Sequence, residues 1–223
     1  MKLLNISVAR AIWLVPLPDL NPRGQPLRQV SLDKIGEKYA FQVVPVIAKA
    51  IEASQKNEAI HFIGGIFRAS DGKDFALDLK IHNDGVIAET RSSTKHAEEF
   101  LADLFAWLPV GLQLQSSNIS IRKKMVVSEI HVSSEHVLTM LNPKLTKIAK
   151  TLASLVPPGS PTSYEATALA FSTDFNDGTP LVNFRFERQV NMPFSEHRYY
   201  SSAPIHTDDH LELLETLETI LAG

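Results

Sequence analysis

Apolar and polar residues alternate from Leu3 to Val15, with Leu4, Ile6, Val8, Ile12 and Leu14 on one face and Arg10 the single charge among them. Such alternation predicts a strand buried on at least that side. Pro16, Pro18, Asn21-Pro22, Gly24 and Pro26 then predict a long irregular loop reaching Ser31, because they support neither helix nor ladder. Leu32, Ile35 and Tyr39 have helical spacing; Pro45 interrupts it, so a helix, a break with a short extended piece at Phe41 to Val44, and a second short helix to about Ser54 are expected. Strands are predicted at 59–68, 74–82 and 85–91. The joins Ser70-Asp71-Gly72-Lys73 and Asn83-Asp84-Gly85 supply the positive φ of tight hairpins, which makes both pairings antiparallel. In the middle strand Phe75, Leu77, Leu79 and Ile81 point inward and Asp78 and Lys80 outward. Gly64-Gly65 marks a bulge or a close backbone approach.

An amphipathic helix from Thr94 to Leu108 follows, capped by Ser92, Ser93 or Thr94 and ending before Pro109 and Gly111. It has an echo 113 positions on, from Thr207 to Leu221, where Leu213, Leu214, Leu217, Ile220 and Leu221 fall on Phe100, Leu101, Leu104, Trp107 and Leu108. Asn118-Ile119-Ser120 repeats Asn5-Ile6-Ser7 at the same offset, which sets Ile121, Met125 and Val127 against Val8, Ile12 and Leu14, and Lys123 against Arg10. Between these blocks a helix is expected from about Glu135 to Val156, bent at Pro143. After the breaker Pro157 to Pro161 come strands at about 163–173, 181–190 and 196–203, the first two joined by Asn176-Asp177-Gly178. Thr207 caps the last helix, with Asp208 and Asp209 in its first turn.

The expected fold is therefore α+β: a tandem duplication of a β-α-β-β-β-α unit, residues 1–112 and 113–223, with antiparallel sheets, helices packed on one face and a pseudo-two-fold relation between the halves. This element order resembles that of several duplicated pseudo-two-fold folds, the TATA-binding-protein-like fold among them. The likeness covers element order alone and implies no activity.

At 223 residues and 44% hydrophobic the chain can bury a sizeable core. A net charge of −3 and a pI near 6.2 give no global basic field, so nucleic acid is possible as a partner but not favoured. The absence of cysteine excludes disulfides, cysteine-ligated zinc, iron–sulfur clusters and a thiol nucleophile. No leader pattern and no long apolar run are present, and a cytoplasmic chain with no membrane partner is expected.

Nucleophile elbows, phosphate loops, dinucleotide fingerprints and the H-E-x-x-H zinc motif are all missing, so the chain leans away from catalysis, and no cofactor or metal is assigned. His206 and His210 read as solvated histidines at a capped helix start. Glu129, His131, Glu135 and His136 form an acid and imidazole cluster that general acid–base chemistry would need within hydrogen-bond reach. Arg10 and Lys123 interrupt apolar strand faces at matched positions, where a cation needs a partner or a route to water. Arg185, with Asn183 and Glu187, marks an outer sheet face in the second half, and Arg188, Arg198, Tyr199 and Tyr200 lie nearby; Arg and Tyr are enriched at interfaces. The candidate binding residues are thus Arg10, Lys123, Arg185, Arg198, Tyr199 and Tyr200. The expected function is noncatalytic binding or assembly with a protein partner or a second copy. The alternatives are a nucleic-acid saddle using Arg10, Lys123, Arg185 and Arg198, and a small-ligand sensor or unfamiliar enzyme drawing on Glu129, His131 and His136.

Overall fold

The computed structural model describes residues 1–16, 28–112, 120–157, 159, 163–173 and 183–223. The Asn118-Ile119-Ser120 echo, the Asn176-Asp177-Gly178 turn and most of the loop after Pro16 lie wholly or partly outside them. The strands are β1 (Lys2–Leu14), β2 (Ile60–Arg68), β3 (Asp74–His82), β4 (Gly85–Thr90), β5 (Lys123–Ser133), β6 (Ala168–Phe171), β7 (Phe184–Arg188) and β8 (Arg198–Ala203). They form an antiparallel sheet in the order β2-β3-β4-β1-β5-β8-β7-β6. The α-helices are α1 (Gln29–Lys38), α2 (Ile47–Gln55), α3 (Thr94–Gly111), α4 (Leu145–Leu155) and α5 (Thr207–Ala222), so the α+β class holds. The chain folds as two units, the first Val8–Ser128 and the second Met1–Ser7 with Glu129–Gly223.

In the first unit one sheet face lies under α3. Phe62, Leu77, Leu79, Val86 and Ala88 from the strands meet Phe100, Leu101 and Leu104 from the helix, all buried. The helix begins where Ser93 Oγ accepts the Lys95 N–H at 3.2 Å, and it runs past its expected end to Gly111. Pro109 is tolerated in the last turn, where its fixed φ suits a helix and its ring removes only one hydrogen bond. Tyr39, at the end of α1, rests edge-on against Phe100 and donates its hydroxyl to Asp103 at 2.7 Å, tying α1 to α3. The Gln29 side chain in α1 accepts the N–H of Ile47, the first residue of α2, and so fixes the second short helix to the first.

The face of β1 that is covered is not the one its large aliphatics mark. Ala9, Ala11, Trp13 and Val15 are buried, while Val8, Arg10, Ile12 and Leu14 are only half-buried on the other side. Phe100, Leu101 and Leu104 already fill the space beneath α3, and alanines let strand and helix approach closely. The expected Gly64-Gly65 irregularity is present. Pairing of β2 with β3 slips between Phe62 and Gly65, Gly64 has φ +71°, and Asp78 accepts its N–H at 2.8 Å.

In the second unit Ile130, Val132, Phe186 and Tyr199 pack with Leu214 and Leu217 of α5, and Leu138 joins them from a 3-10 turn at Leu138–Leu141. The single helix expected from Glu135 is therefore two pieces, this turn and α4, separated at Pro143. β5 begins at Lys123 and ends at Ser133, several residues later than the Asn-Ile-Ser echo implies.

A Cβ on Gly65 would stand 2.6 Å from the ring of Phe41, which is itself packed at 5.3 Å from Phe62. Gly65→Ala is therefore expected to destabilise the fold by about 1–3 kcal/mol through overpacking, read as a lower urea midpoint at unchanged slope.

Candidate functional site

The most developed polar arrangement lies on the uncovered sheet face of the first unit. Arg10 on β1 stands opposite Glu89 on β4, and its Nε donates to Glu89 Oε1 at 2.6 Å. Lys80 on β3 donates to the other carboxylate oxygen at 2.7 Å. One carboxylate thus holds two cations, all three side chains being partly screened from water. Burial alone would push the Glu89 carboxyl up; Lys80 and Arg10 outweigh it and hold it below the ordinary glutamate value.

Beside this triad opens a groove of about 1060 Å³. It is lined by strand residues, Arg10, Lys80, Ile87, Glu89 and Ile63 among them, and by residues from Val43 to Ala53, which include the start of α2. Val43 pairs with Ile63 through an isolated bridge, which places the 43–46 segment against β2. Val43, Val46 and Ile63 are 50%, 56% and 45% exposed, so the groove presents large apolar side chains to solvent.

The remaining candidates of the sequence separate into surface and core. Arg10 is not an inward charge: it belongs to the uncovered face, with Glu89. Lys123 is exposed at the start of β5. Arg185 is exposed with Glu187 at 3.7 Å, and Arg198 pairs with Glu196 at 2.8 Å. Tyr199 is a correction. It is 1% exposed, stacks on Phe186 at 4.5 Å and donates its hydroxyl to the His136 carbonyl, so it belongs to the core. Arg188 is also buried, bonded to the Phe194 carbonyl and to Glu165, with its guanidinium over the rings of Phe194 and Tyr199. Tyr200 takes the uncovered side, its ring 5.4 Å from His131.

Glu129, His131 and Tyr200 are brought together; Glu135 and His136 are not part of that group. Burial, then Glu129, pushes the Tyr200 phenol above its ordinary range, which keeps it protonated and a hydrogen-bond donor. The backbone at Glu135 instead donates to Glu218 of α5, whose carboxylate also accepts the Ser134 hydroxyl at 2.6 Å. His210 is a further correction, being fully buried rather than solvated. Ser201 Oγ gives its only proton to the Arg185 carbonyl at 3.0 Å, so the 2.8 Å contact with His210 Nε2 requires the imidazole to donate.

Among the described residues no group of three or more His, Asp or Glu is placed to hold a metal, and no helix is long and apolar enough to cross a membrane.

Two features had no place in the sequence reading. One is the groove with its Arg10–Glu89–Lys80 floor; the Asn83-Asp84-Gly85 hairpin signal puts Lys80 and Glu89 on neighbouring strands, but nothing local points to Arg10. The other is the bareness of α4, a helix that was expected and is the most strongly amphipathic of the helices, but in which no residue is buried. Ile148 is 65% exposed, Leu152 44% and Leu155 76%, and Met140 and Leu141 are exposed just before them. Lys144, Lys147 and Lys150 are exposed along the same helix, and no acidic residue occurs between Glu135 and Glu165.

No protein-family model matches the chain, and no curated protein matches it in sequence.

Ser201→Ala removes the acceptor facing a buried imidazole N–H and is expected to cost about 1–3 kcal/mol in chemical denaturation. Glu89 supplies the pH dependence. Its folded value is depressed, so its contribution is present above the unfolded glutamate value and is lost as pH falls through the lower, folded one. The stability difference between wild type and Glu89→Gln should therefore shrink steadily as acid is added below about pH 4.5, the region where an unperturbed glutamate titrates, in parallel thermal melts.

Proposed function

We propose that the chain is a noncatalytic binding or assembly protein that acts through protein–protein contact, with α4 as its main docking element and an acidic protein surface as its partner. The bare apolar face of α4 carries this reading. Each of Ile148, Leu152 and Leu155, if fully buried, would contribute roughly 1.5–3 kcal/mol, a gain the isolated chain leaves largely unrealised. The lysines of the same helix form a local positive strip on a chain whose net charge is −3, which favours an acidic partner over a second copy docking by the same face.

A tandem duplication related by a pseudo-two-fold, residues 1–112 and 113–223, remains our reading of the architecture. It is supported by matching orders, β2-β3-β4-β1 in one unit and β6-β7-β8-β5 in the other. It is supported too by the buried positions of α3 and α5, where Thr94, Ala97, Leu101, Leu104 and Leu108 fall on Thr207, His210, Leu214, Leu217 and Leu221. The first strands match at a different offset from the one in the sequence. Val15 N–H donates to Asp84 and Ser134 N–H to His197, an alignment that sets Arg10 against Glu129 rather than Lys123. A nucleic-acid saddle has less support, because Arg10, Arg185 and Arg198 each stand beside a glutamate that offsets the charge.

Sedimentation of the protein in extract of its own cells tests the binding role. Wild type is expected in a species well above 24.7 kDa, and Ile148→Asp with Leu152→Asp at the mass of a single chain, with an unchanged melting temperature because both positions are exposed. A wild type that travels as a single chain in extract would contradict the proposal.

A further inference from the structure

The groove of the first unit is separate from α4, and its chemistry is specific enough to name a ligand class. Two cations share one carboxylate on its floor. The Arg10 guanidinium engages Glu89 through Nε, leaving its terminal amino groups to other acceptors, and Lys80 holds the second carboxylate oxygen. At the rim Glu52 is taken up by Lys56 at 2.6 Å, and Lys49, Glu58, His61 and His82 also line the groove. Among the lining residues three cations, Arg10, Lys49 and Lys80, balance three carboxylates, Glu52, Glu58 and Glu89, so the attraction for an anion is local to the terminal amino groups of Arg10 on the floor. Around it Val43, Val46, Ile63 and Ile87 supply apolar surface. At about 1060 Å³ the space is at the upper end of what a small molecule occupies.

We propose that this groove binds a small amphiphilic carboxylate, its anionic head placed between Arg10 and Lys80 and its aliphatic body lying along Val43, Val46 and Ile63. A single anionic head fits the local donors, the terminal amino groups of Arg10 and the ammonium of Lys80. The head completes the donor capacity of Arg10 in a charge-assisted contact, whereas a dianion would add repulsion from Glu89. The aliphatic body covers side chains that otherwise face water, and its transfer from water drives the association. Glu89 tunes the site: it holds the two cations in place and competes with the ligand for them.

Octanoate and its neutral counterpart octanamide are the probes, titrated calorimetrically against the full chain, with methyl shifts of Ile63 and Ile87 reporting location. Wild type is expected to bind octanoate saturably and at least tenfold more tightly than octanamide, with shifts at Ile63 and Ile87. Lys80→Gln, which retains the Arg10–Glu89 pair, should weaken octanoate at least threefold. Glu89→Gln should tighten it by at least threefold, because both cations are released to the ligand. This gain keeps the test independent of any variant that fails to fold. No saturable binding, equal affinity for octanamide, shifts confined to residues outside the groove, or an octanoate affinity unchanged or reduced in folded Glu89→Gln would each overturn the proposal.

Discussion

Burial of one sheet face beneath one long amphipathic helix is the constraint on which each unit depends. α3 puts Phe100, Leu101 and Leu104 onto the strands of the first unit, and α5 puts Leu214, Leu217 and Leu221 onto those of the second. A sheet covered on one side must satisfy its strands differently on the two faces. Alanines, leucines and rings fill the covered face, while charges and half-buried aliphatics occupy the other. The position of Arg10 follows directly. A cation on the covered face would have cost several kcal/mol; on the open face it meets Glu89 and remains within reach of water.

The two units meet this constraint with different chemistry. The first has a core of hydrocarbon and aromatic rings, with Tyr39 against Phe100 and Phe67 at 5.7 Å from the same ring. The second buries polar groups at comparable positions, the His210–Ser201 pair and the Arg188 guanidinium. Such groups stabilise only when their partners are in place; Ser201 supplies one for His210, and Glu165 and the Phe194 carbonyl supply them for one terminal amino group of Arg188. The apolar surface is distributed in a corresponding way. Residues 43–66 leave a groove-forming set of aliphatics exposed in the first unit, and α4 leaves a whole helix face exposed in the second.

Much of the fold was legible in the chain, and the failures have definite causes. Asn83-Asp84-Gly85 and Asp71-Gly72 announce hairpins through backbone chemistry that tertiary context rarely overrides, and β2, β3 and β4 stand where expected. The stripes of α3 and α5 were equally plain. The covered face of β1 was misread because Leu, Ile and Val outrank Ala as core residues, although the room left by the facing helix decides which set goes inside. Tyr199 was placed outside because the inward parity of β8 is fixed by its pairing with β7, where Arg188 lies opposite Tyr199. The groove was invisible because its floor joins Arg10 to Glu89, 79 residues apart, and its apolar lining comes from a segment read only as a break between helices. The amphipathicity of α4 could be seen, but its lack of cover is a property of the folded surface alone.

Side-chain oxidation footprinting addresses the central claim, that the open apolar helix of the second unit is a surface for a protein partner. In the purified chain Ile148, Leu152 and Leu155 should be oxidised readily, and Phe100 and Leu104 hardly at all. In extract of the protein's own cells the three α4 residues should become protected while exposed Val110, 80% accessible and in the first unit, keeps its reactivity. Equal oxidation of α4 in both settings would show that nothing covers it, and would contradict the account.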